Sequence, residues 1–179
     1  MEVIAVRRWG VIVALGALLG MLAGVVTAAP ALARGPKWQF NAPPPGPVIL
    51  PADFCGFQIG VTFPADKEYI KVLKTADGSM TFLITGALTV TTTNLSTGKT
   101  ITANISGPGK VTFFPDGSIL SAGKGHNIIA LSPADARRFG LPTLAISAGA
   151  LTESIAPDGT FTSVSLQGQV LVDVCAALS

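Results

Sequence analysis

The sequence predicts an all-β fold: one antiparallel, mostly up-and-down sheet of about eight strands, closed into a barrel with one short helix. Three observations lead there. Turn dipeptides punctuate the chain after residue 53, at Asp77-Gly78, Thr97-Gly98, Pro108-Gly109, Asp116-Gly117 and Asp158-Gly159, and each separates residues of strand character, as consecutive hairpins do. The runs between them alternate. In "MTFLITGALTVTT" the residues Met80, Phe82, Ile84, Leu88 and Val90 share one face against Thr81, Thr85, Thr89 and Thr91, the pattern of a strand buried on one side only. Finally, the two cysteines, Cys55 and Cys175, stand near the two ends of this region.

The chain divides into three parts. Residues 1–33 read as an export signal: Arg7 and Arg8 precede an apolar run from Trp9 to Ala29 that ends in Pro30-Ala31-Leu32-Ala33, an A-x-A cleavage pattern. The run is also long enough to span a bilayer if left uncut, so an anchored form is the alternative. Residues 34–52, "RGPKWQFNAPPPGPVILPA", hold six prolines and no usable period, which predicts an extended linker. The aromatic pair Trp38 and Phe40 marks it as a possible contact segment. Residues 53–179 form the predicted β domain.

Within that domain the alternation places strands near 55–63, 67–75, 79–93, 99–106, 110–115, 118–122, 124–131, 143–156 and 160–174, with some of these fused. Gly86, Gly149 and Gly168 each interrupt a long run near its middle, as at the corners of a curled sheet. In "TSVSLQGQVLVDV" the residues Val164, Leu166, Val170, Val172 and Val174 fall on one face, and Ser163, Ser165, Gln167, Gln169 and Asp173 on the other. The stretch "SPADARRFGLP" breaks the hairpin rhythm. Ser132 can cap a short helix with Pro133 at its first position, and Gly140 and Pro142 end it.

Export makes an even cysteine pair read as a disulfide, since a metal site needs more ligands than two cysteines and the lone His126 supply. In an up-and-down barrel the first and last strands are neighbours, which brings cysteines on those strands within bonding reach. A β-sandwich with an inter-sheet bridge is the other architecture the pattern allows.

Charge excludes some functions. The chain has 12 basic and 10 acidic residues, and only Arg7, Arg8 and Glu2 precede residue 34, so no basic surface for nucleic acid is indicated. There is no G-x-S-x-G, and one histidine offers little for nucleophilic catalysis. No cofactor or metal is predicted. The acids Asp77, Asp116 and Asp158 belong to turns. The polar candidates for a pocket are Glu68 and Tyr69, beside Lys67 and Lys71, together with Glu153 and Asp173 on the last two strands. "NLS" at 94–96 and "NIS" at 104–106 match the N-glycosylation pattern.

With "DFCGFQIGVTFPADKEY", "TGALTVTTTNLSTGKT", "NISGPG" and "VDVCAAL" in view, the chain resembles a group of small secreted actinobacterial proteins of unknown function, over most of residues 53–178. The resemblance implies export and a cysteine pair, brings no catalytic residue, and weakens the glycosylation reading. The strand count with midstrand glycines is also similar, at the level of fold, to the eight-stranded barrels of dirigent proteins and allene oxide cyclases. The function expected is that of a secreted, non-catalytic β-barrel protein binding a small apolar ligand or an envelope partner. The alternatives are a structural or interaction protein of the cell envelope, and an isomerase or cyclase using the barrel pocket.

Overall fold

A computed structural model describes residues 35–179; the signal segment expected over residues 1–33 lies outside the described residues. These residues form nine strands and two short helices. The strands are β1 (Gln39–Phe40), β2 (Val48–Leu50), β3 (Ile59–Lys74), β4 (Met80–Asn94), β5 (Thr100–Asn104), β6 (Gly109–Phe113), β7 (Ile119–Ala130), β8 (Leu144–Ile155) and β9 (Phe161–Asp173); α1 (Pro133–Phe139) precedes β8 and α2 (Val174–Leu178) follows β9. All pairings are antiparallel.

The hairpins follow from a turn sequence used three times. In "TADGS", "FPDGS" and "APDGT" the glycine N–H donates three residues back, Gly78 to Thr75, Gly117 to Phe114 and Gly159 to Ala156, at 2.9 to 3.1 Å. The aspartate then accepts from the backbone N–H two residues on, Asp77 from Ser79, Asp116 from Ser118 and Asp158 from Thr160, each at 2.9 Å. Each turn thereby fixes the register of its strands. The predicted helix also forms as read: Ser132 Oγ accepts from the Asp135 N–H at 3.1 Å, and Gly140 ends it at a left-handed φ of 67°.

Strands 55–63 and 67–75 of the sequence reading fuse into β3, with an irregularity between Thr62 and Ala65 where Pro64 cannot donate to the ladder. β5 and β6 both pair with β4, one beyond the other, so they are one strand broken over residues 105–108. The proline-rich segment is not free of the domain: β1 and β2 both pair with β3, and Leu50 is buried.

Two of the midstrand glycines lie in a row with a third from β7. Gly125 of β7 faces Gly149 of β8, which faces Gly168 of β9, and on the other side of the sheet Gly86 of β4 faces Glu68 of β3. A Cβ on Gly149 would stand 2.2 Å from the Gln167 carbonyl oxygen, and one on Gly86 2.2 Å from that of Lys67, with φ of +127° and +133°. Neighbouring backbones approach too closely there for any side chain. The row is a crease, and it folds the sheet back on itself.

Folding at the crease lets both faces of β8 be buried. Leu144 and Ile146 join Leu50, Ile59, Val61, Leu88, Val90, Val174 and Leu178 in one cluster. Ala145, Leu151 and Ile155 join Ile129, Leu131 and Phe161 in a second, which Ala136 of α1 covers.

Three expectations need correcting. The sheet does not close: its path runs β1-β3-β4-β6-β7-β8-β9, and β9 is not bonded to β3 or to the arm strands. The disulfide exists, with Cα atoms 5.1 Å apart, but it does not join strand to strand. Cys55 sits in the turns before β3, and Cys175 in α2, because Asp173 accepts from the Ala176 N–H at 3.0 Å and starts a helix where the alternation pattern extends a strand. Nor do all the valines of β9 share a face. A bulge sets Val172 opposite Ile146 but Val170 opposite Ser147, so Val172 packs inside while Val170 is exposed.

Candidate functional site

Between the two clusters lies a cavity of about 160 Å³. Its walls include Ile70, Ile84, Leu88, Val111, Ile128 and Leu151, and Gly107, Gly109 and Gly123 contribute wall without a side chain to fill it. Lys110, Lys124 and His126 also border it, and all three are exposed.

Two of the four candidate residues meet in this cavity. Glu68, from β3, is 6 % exposed, and Glu153, from β8, is 5 % exposed. Each lies on the buried side of its strand's alternation, Glu68 with Ile70 and Glu153 with Leu151 and Ile155. Glu153 stands directly across from Ser121 of β7, whose side chain hydrogen-bonds to it. Burial still dominates, and it pushes the Glu153 carboxyl up to about 7. Glu68 is raised by burial first and by the nearby Asp66 charge second, against a hydrogen bond from the Asn41 side chain. Asp66 is itself raised by burial and accepts from the Glu68 N–H at 2.7 Å. The arm contributes here too, since the Asn41 N–H donates to the Glu68 carbonyl at 2.9 Å. One atom is left over: Glu68 Oε2 is buried without a hydrogen-bond partner.

The other two candidates are elsewhere. Tyr69 points away from the cavity, 46 % exposed, and packs edge-to-face on Phe40 with ring centroids 6.0 Å apart. Asp173 is the exposed cap of α2. Asn94, in the first glycosylation tripeptide, is buried and donates to the Leu178 carbonyl at 3.0 Å, anchoring α2. Arg138 donates to the Phe161 carbonyl at 2.9 Å. Ser121 and Asn41 carried no signal in the sequence, because each matters only through the strand it pairs with.

The raised Glu153 carboxyl makes stability depend on pH. A group that holds its proton more tightly folded than unfolded stabilises the fold at low pH, and that stability is lost as pH rises from the ordinary 4.5 through about 7. The loss amounts to about 3 kcal/mol. Glu153→Gln should flatten this slope and raise the denaturant midpoint at pH 8 relative to the parent, with little change at pH 5. Parallel pH profiles for the two proteins would show that burial leaves the carboxyl unperturbed.

Among the described residues no group of three or more His, Cys, Asp or Glu could hold a metal, and no helix is long and apolar enough to cross a membrane. Comparison with protein-family models, with curated proteins and with solved structures finds no match to the chain.

Proposed function

We propose that this is a secreted protein whose creased, barrel-like sheet binds a small, mostly apolar molecule in the cavity between the two clusters. The observation that carries the reading is the cavity of about 160 Å³ walled by Ile70, Ile84, Val111 and Leu151. An engineered apolar cavity of about 150 Å³ takes up benzene, so the ligand body is of the order of one ring. The disulfide supports an oxidising destination, and the sequence supports export. Calorimetry and native mass spectrometry of the chain from residue 34, with single-ring probes, test this. Binding is expected, and it should vanish in Val111→Phe, which fills the space; an absence of binding by every ring-sized probe would overturn the reading.

One observation favours a second reading. Glu68 and Glu153 share the cavity, and buried carboxyls with raised proton affinity are suited to acid-base steps such as an isomerisation or cyclisation. The absence of turnover for a bound molecule at pH 6 to 8 would leave binding as the function.

A further inference from the structure

We propose that the ligand carries an ammonium group on its ring-sized body, and that Glu68 and Glu153 receive it. This rests on the binding reading above and adds the chemistry of the ligand head.

The argument begins with an unfilled valence. Buried polar atoms in folded proteins nearly always have a partner, and leaving one without costs about 1–3 kcal/mol. Glu68 Oε2 has none, on a side chain 6 % exposed that lines the cavity. The protein supplies Asn41 to this carboxyl and Ser121 to Glu153, and leaves Glu68 Oε2 open. The Glu68 oxygen accepts from none of the basic side chains that border the cavity. Those groups, Lys110 on β6 with Lys124 and His126 on β7, are exposed. Acidic depth behind an exposed basic rim selects against a bound anion.

An amine suits the depth better than an alcohol. Burial raises the Glu68 carboxyl first and repulsion from the Asp66 charge second, and Glu153 lines the same cavity. A neutral hydroxyl satisfies one acceptor and leaves that repulsion. An ammonium offers three donors and a positive charge, so it fills the open Glu68 acceptor and favours the ionised form of Glu153, which keeps its proton up to about 7 when the cavity is empty. Binding therefore expels protons. Affinity for an amine rises with pH as Glu153 ionises at about 7 while the amine stays charged.

Benzylamine, benzyl alcohol and toluene have nearly the same body and separate the possibilities. Calorimetry with the chain from residue 34 at pH 8 should give benzylamine at least tenfold tighter binding than toluene, equivalent to about 1.4 kcal/mol. The preference should shrink at pH 5 and collapse in Glu68→Gln, with circular dichroism showing the fold retained. In Glu153→Gln the pH dependence should weaken. Equal or tighter binding of toluene would overturn the ammonium head while the binding reading stands. Tighter binding of benzyl alcohol would overturn it in favour of a neutral donor. If none of the three binds, both readings fail together.

Discussion

Replacing Cys55 and Cys175 together by alanine should cost about 5 kcal/mol of stability on the chain-entropy view of a cross-link. The bond closes a loop 120 residues apart in sequence, and the unfolded chain regains that freedom once it is cut. Small domains have about 5–15 kcal/mol in total. The double variant should therefore melt far below the oxidised parent, and reduced parent protein should melt with it. Alanine is preferable to serine here because both cysteines pack against the first cluster, where a hydroxyl would add its own penalty. A denaturant midpoint unchanged on reduction would show that β3 to β9 are held by packing alone.

The second large effect is expected at the crease. Gly→Ala in a strand ordinarily stabilises, by restricting the unfolded chain. At Gly149 the sign reverses. The new Cβ would lie 2.2 Å from the Gln167 carbonyl oxygen and 2.7 Å from the Gly168 Cα, at a φ of +127°, and because these close atoms are backbone nothing flexible can give way. Gly149→Ala should destabilise by about 3–5 kcal/mol. Gly98→Ala separates the two causes. It shares the positive φ, at +76°, but meets nothing within 4 Å, so it should cost about 1 kcal/mol, the price of the conformation alone. Similar urea midpoints for the two variants would mean that β8 and β9 do not approach as closely at the crease as described.

Much of this fold was legible because it is local. The Asp-Gly dipeptides announce their turns through chemistry complete within five residues, and Ser132, Pro133 and Gly140 do the same for α1. Gly86, Gly149 and Gly168 flagged the bends, though the alignment of Gly149 and Gly168 with Gly125 depends on register across three strands. Closure was not legible: it is a relation between distant edges, and no local pattern distinguishes a barrel from an open curled sheet. The bulge at Leu171 defeated the alternation argument for β9, since one extra residue exchanges the faces on either side of it. The site was half legible. Glu68 stood out in a polar cluster with Lys67, Tyr69 and Lys71, and Glu153 in the alternation of its strand, but so did Asp173, whose capping role depends on the chain turning helical one residue later. That two of these acids share one cavity is set by the crease, and no residue near either of them encodes it.

The placement of the sulfur bridge also determines how tension would travel along the molecule. Pulling on the chain from before residue 55 and after residue 175 would load the covalent bond between Cys55 and Cys175, and the 120-residue span between them would carry none of it. Residues 176–179, which follow the bridge, would peel, and so would the arm strands β1 and β2, which precede it. As they peel, Asn41 leaves Glu68. Stretching would thus open one wall of the cavity while β3 to β9 remain mechanically silent.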